Sequence, residues 1–107
     1  MKAEEIMAEI RAIPSSLAGD VTDAQAGLIM YLTKEAFIKC QFDDNPIVEL
    51  IWGDCRVTEL SKADAGRLIT YFGDKGDEGW DVHRVEEMTL LHRAWMETKG
   101  QQSLFDW

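Results

Sequence analysis

Thr22-Asp23-Ala24-Gln25-Ala26-Gly27-Leu28-Ile29 and Ser61-Lys62-Ala63-Asp64-Ala65-Gly66-Arg67-Leu68 place a hydroxyl residue, two alanines and a glycine in the same register. Each stretch reads as the start of a helix, because the hydroxyl can accept a hydrogen bond from the third backbone N–H of the turn that follows. Gln25, three residues after Thr22, completes a capping box. Two helices that open alike form a degenerate repeat, and the fold class they predict is all-α. A glycine inside a helix costs about 0.8–1 kcal/mol relative to alanine, so two at matching positions require a compensating gain. The expected gain is a tight crossing of the two helices through Ala24 with Gly27 and Ala63 with Gly66. The alternative is that these small residues clear space for Trp52 or Trp95.

Outward from the repeat, apolar residues recur at spacings of three and four, and strict alternation is nearly absent. Ala3 to Ile13 predicts a first helix with Ile6, Ile10 and Ile13 on one stripe, stopped by Pro14. The helix capped by Thr22 is expected to run to about Cys40, and the one capped by Ser61 to Phe72, with Gly73 as its stop. Ile47 to Trp52, after Pro46 and before Gly53, reads as a short helix, although its composition equally suits a short strand. Gly73 to Gly79 reads as a turn-rich loop. A last helix is expected from Asp81 to about Lys99, with Val82, Val85, Met88, Leu91 and Trp95 at helical spacing. The expectation is a small bundle of four to five helices, with residues 1–100 as one domain and residues 101–107 as an extended tail.

The chain has 107 residues, 46% of them hydrophobic and 29% charged, a globular composition of single-domain size. No apolar run approaches the ~18 residues of a membrane helix, and the acidic start, Met1-Lys2-Ala3-Glu4-Glu5, lacks the apolar stretch of a secretory signal. A cytoplasmic protein with no membrane partner is expected. Cys40 and Cys55 do not make a disulfide framework and suit small core or half-buried positions. The formal charge is −9, and no two of the 11 Lys and Arg residues are adjacent. Tight direct binding of nucleic acid is therefore not expected, because no basic stripe exists to release counterions. Folding could still gather Lys34, Lys39, Arg56, Lys62 and Arg67 on one face.

The stretch Gln101-Gln102-Ser103-Leu104-Phe105-Asp106-Trp107 concentrates apolar side chains after Gly100, a natural helix stop. It resembles the short peptide by which bacterial DNA polymerases and repair proteins bind the replicative sliding clamp, usually Gln-Leu-(Ser/Asp)-Leu-Phe. Gln102 departs from that pattern, which prefers Leu. The resemblance implies a protein-docking site in which Leu104 and Phe105 enter apolar pockets, Gln101 bonds at the rim, Ser103 stands at the motif's Ser/Asp position and Asp106-Trp107 add peripheral contacts. Each filled pocket contributes about 1.5–3 kcal/mol before ordering costs. The bland alternative is a tail that covers the chain's own core. More weakly, residues 21–72, including Arg56-Val57-Thr58-Glu59-Leu60-Ser61-Lys62-Ala63-Asp64-Ala65, are similar to small helical modules of Mu-type phage regulatory proteins and of some phage recombination proteins. There Gly66 replaces the usual Ser.

Residues with catalytic spacing are missing from the reading. The segment Gly73-Asp74-Lys75-Gly76-Asp77-Glu78-Gly79 lacks a phosphate-loop helix start, and the order of Asp74, Asp77, Glu78 and Asp81 does not match a Ca²⁺ loop. Cys40, Cys55, His83 and His92 fit no zinc-finger spacing. His83, expected in the first turn of the last helix, and His92, beside Arg93, read as solvated. No cofactor, metal or catalytic residue is assigned. The functional expectation is a non-enzymatic accessory or regulatory protein of bacterial or phage DNA replication, recombination or repair, recruited to the sliding clamp by its tail. Its rivals are an acidic DNA mimic or host-takeover inhibitor, favoured if Asp43, Asp44, Glu49, Asp54, Asp74, Asp77 and Glu78 share a face, and a generic helical interaction module.

Overall fold

The computed structural model describes residues 2–41, 43–53 and 55–99. It contains helices α1 (Ala3–Ala12), α2 (Asp23–Glu35) and α3 (Pro46–Trp52), a single 3-10 turn at Val57–Glu59, and α4 (Lys62–Phe72). A two-stranded antiparallel sheet follows, β1 (Gly73–Gly76) with β2 (Gly79–Val82), and α5 (Val85–Thr98) closes the order. The protein is thus mostly helical, but not strictly all-α. Among the described residues no helix is long and apolar enough to cross a membrane.

Both helix starts of the repeat are built as their sequence predicts. Thr22 Oγ1 accepts from Gln25 N at 3.0 Å while Gln25 Oε1 accepts from Thr22 N at 3.1 Å, and Ser61 Oγ accepts from Asp64 N at 3.0 Å. These bonds satisfy amide donors that a helix N-terminus leaves without partners. The two starts are also stitched together. Val21 N donates to Leu60 O, Lys62 N donates to Gly19 O, and the side-chain amide of Gln25 donates to Lys62 O at 3.2 Å. α2 and α4 therefore pack side by side from a shared beginning.

The glycines do not make that crossing. A Cβ added at Gly27 would meet nothing within 4 Å, and one at Gly66 would meet Leu17 and the side chain of Gln25 at 3.5 and 3.8 Å, ordinary contact distances. The buried members of the repeat are Ala26 with Ile29 and Ala65 with Leu68. At 3.6 residues per turn, the position after a buried alanine lies about 100° further round the helix, which carries Gly27 out to solvent. The close approach falls instead at Gly73, where a Cβ would stand 2.7 Å from Ile69 O and 3.0 Å from the Trp80 ring.

That contact explains the hairpin in the place of the expected loop. Gly73 pairs with Val82, Asp74 with Asp81, Lys75 with Trp80 and Gly76 with Gly79, leaving Asp77 and Glu78 as a two-residue turn. Trp80 and Val82 turn their half-buried side to the core while the rest of the hairpin is exposed, except half-buried Gly73. The last helix consequently starts at Val85 and not at Asp81. His83 precedes it, exposed, with its amide donating to Phe72 O, and Arg84 caps it in the left-handed region (φ 59°) with its guanidinium 4.3 Å above the Tyr71 ring.

The core gathers Ile6 and Ile10 of α1, Ile29 and Leu32 of α2, Ile47, Val48 and Ile51 of α3, Leu68 and Phe72 of α4, and Met88 and Leu91 of α5. α3 packs on α5 and α1 on α4 and α5. Val85, expected in the apolar stripe of α5, is 38% exposed.

Candidate docking groove

α2 ends at Glu35, five residues before Cys40, in a Schellman arrangement. Phe37 N donates to Lys34 O at 2.9 Å and Ile38 N donates to Thr33 O at 3.2 Å, which closes the last turn. The residue that must be left-handed in this motif is normally glycine. Here it is Phe37, at φ 63° and with 93% of its surface exposed. The conformation costs roughly 1–2 kcal/mol for a residue with a Cβ, and it holds an aromatic ring in water.

The chain then turns into α3 through Asn45. Its Oδ1 accepts from Ile47 N at 2.9 Å and Val48 N at 3.3 Å, and its Nδ2 donates to Thr33 Oγ1 at 3.0 Å. Thr33 in turn donates to Ile29 O at 2.7 Å. This buried pair fixes the start of α3 against the end of α2, and Pro46 at the first helical position needs no amide partner. Asp43 anchors the same loop from the other side, its Oδ1 accepting from Thr58 N at 3.0 Å and Thr58 Oγ1 at 2.9 Å. The Thr58 amide, aided by Arg56 at 3.6 Å, holds the Asp43 carboxyl below its ordinary pKa.

Between these elements and α5 lies an open groove of about 770 Å³. Ile38, Cys40, Pro46 and Trp95 line it with Phe37, Lys34 and Lys39 from the α2 side, and Asp44 and Glu49 from the α3 side. A second lobe of about 360 Å³ shares Glu49 and Trp95 and continues past Leu50 and Gly53 to Thr98 and Lys99. Lys99 forms an ion pair with Glu49 and lies over the Trp95 face at 6.0 Å. His92 stacks on Trp95 with ring centroids 5.9 Å apart, so it is half-buried and not the solvated residue expected; burial lowers its pKa. Trp95 Nε1 is buried and has no acceptor among the described residues. Such a donor is uncommon in a native fold and requires an account. Burial raises the Cys40 thiol pKa, opposed by the charge of Lys34.

The tail residues named from sequence, Gln101, Ser103, Leu104, Phe105 and Trp107, lie outside the described residues, as does Asp54. Cys40 and Cys55 are both half-buried free thiols. Among the described residues no group of three or more His, Cys, Asp or Glu is placed to hold a metal ion. The scattered bases do not all converge: Arg67 bonds Asp64 at 2.6 Å and Ile13 O at 2.7 Å, and Arg56 turns to Asp43, while Lys34 and Lys39 reach the groove. The acids divide too, between the start of α3 and the hairpin, which packs on α2 and α4. The groove itself was not legible as a site in the sequence. Its one local signal is an aromatic residue where a helix end calls for glycine.

Compared with protein-family models, with curated proteins and with solved structures, the chain matches none of them at a significant level.

Proposed function

We propose that this protein is a non-enzymatic accessory of bacterial or phage DNA replication, recombination or repair that docks on the sliding clamp through its C-terminal peptide. The observation that carries the reading is the order Gln101-x-Ser103-Leu104-Phe105, beginning two residues after Lys99, the cap of α5. A helical domain followed in sequence by a docking peptide has the organisation of an adaptor. Leu104 and Phe105 are its anchors, Gln101 its polar rim contact, and Trp107 a peripheral one. The weaker likeness of residues 21–72 to phage modules supports the same setting.

Calorimetry of the full chain against purified bacterial sliding clamp tests this. A micromolar complex is expected, corresponding to about 8 kcal/mol. The double variant Leu104→Ala/Phe105→Ala removes most of the apolar burial and should leave no measurable heat. No heat from the parent, or equal affinity in parent and variant, ends the proposal.

A further inference from the structure

We propose that the groove between the end of α2, the start of α3 and α5 receives the chain's own residues 101–107. Docking on the clamp and docking on the groove are then alternatives. The consequence for the clamp rests on the function proposed above; the groove's occupant does not.

Several observations converge on this occupant. The groove offers an apolar floor, Ile38, Pro46 and Trp95, beside Phe37, which is held out in a strained conformation with 93% of its surface exposed. Leu104, Phe105 and Trp107 are side chains of matching chemistry. Trp95, whose buried Nε1 has no acceptor among the described residues, adds its ring to this lining. Charge agrees as well. In a chain of net charge −9, Lys34 and Lys39 stand together on the α2 side of this groove, opposite Asp44 and the Lys99-paired Glu49, and the segment carries Asp106 between its aromatic residues.

Continuity supplies a further argument. Lys99, the residue that caps α5, lines the lobe that shares Glu49 and Trp95 with the main groove. Six extended residues span about 20 Å, against short molecular axes of 28 and 27 Å. Leu104 and Phe105 therefore have the reach to enter the groove from Lys99. Joined to it on the same chain, they need only weak contacts, because the tether makes their effective concentration high.

The test uses the full chain in three forms: parent, the tail variant Leu104→Ala/Phe105→Ala, and the groove variant Phe37→Ser. Phe37 is so exposed that its replacement leaves the core intact. Indole N–H resonances are recorded by NMR, that of Trp95 being assigned with Trp95→Phe. The Trp95 resonance and the amides of Ile38 and Cys40 should shift in the tail variant, and the shift should reverse when a synthetic peptide of residues 101–107 is added. The groove variant should bind clamp about three- to tenfold more tightly than the parent, because a larger fraction of its tails is free. An unmoved Trp95 resonance in the tail variant overturns the groove proposal, whatever the clamp does. A moved one without clamp binding by any form keeps the groove and removes the clamp. If the parent's Trp95 resonance depends on protein concentration, the occupant is a second copy and the intramolecular proposal fails.

Discussion

At its beginning α2 is closed by Thr22 and Gln25 in a reciprocal box and sewn to α4 through Val21, Leu60, Lys62 and Gly19. At its other end the same helix stops on Phe37, left-handed and in water, beside a buried indole N–H without an acceptor among the described residues. The first end gains about 1 kcal/mol from its cap, and the second gives up roughly 1–2 kcal/mol to its backbone conformation. A few kcal/mol is a large part of the net stability of a small domain. The difference teaches where this fold satisfies its own backbone and where it leaves strain and an aromatic ring at the surface.

The largest expected effect comes from breaking the buried joint at the second end. Asn45→Ala removes the cap of α3 and leaves Thr33 without its buried donor, so a loss of about 2–4 kcal/mol is expected in urea melts. Thr22→Ala or Ser61→Ala, at the first end, should each cost about 1 kcal/mol. If Asn45→Ala is no worse than the cap variants, the groove wall is not held by this pair and the contrast between the two ends weakens.

Phe37→Gly acts in the opposite direction. Glycine adopts the left-handed conformation without strain, and a helix end of this kind prefers it, so the substitution should raise stability by about 0.5–1 kcal/mol. The measurement belongs in the Leu104→Ala/Phe105→Ala background, where a melt reads the backbone conformation without any contribution from the tail. A destabilised protein would mean that Phe37 packs on a surface, and that its strain is offset within the domain.

What could be read from the sequence was whatever is encoded within a few residues. The caps at Thr22 and Ser61, the stripe of Ile6 and Ile10, and the stop at Gly73 are local, and they stand as expected. The end of α2 was missed because its Schellman turn uses Phe37 and carries no glycine. The hairpin was missed because β1 and β2 are four residues each and only Trp80 and Val82 supply apolar alternation, too short a pattern to distinguish from a loop. The shared glycines misled through register: the repeat is real in its caps and buried alanines, while Gly27 faces out. The groove joins residues 34–49 to Trp95, and no local pattern announces a meeting over such a separation.

The smallest effect sharpens the comparison at Trp95. His92 lies half-buried against that ring, and burial lowers its pKa from the ordinary 6.5. The folded protein thus favours neutral imidazole, and as pH falls the unfolded chain takes up the proton first. The contribution to stability is complete above the ordinary value and is lost as pH falls through the lower folded one. Urea midpoints taken between about pH 7.5 and about pH 5.5 should decline for the parent, and less steeply for His92→Gln, which cannot titrate. The carboxyl of Asp43, held low chiefly by the Thr58 amide, works in a separate and more acidic window: its contribution is present above the ordinary carboxylate pKa and disappears as pH falls through the depressed one. Equal slopes for parent and His92→Gln would place the histidine in water, and with it the outer edge of the Trp95 surface on which the groove is built.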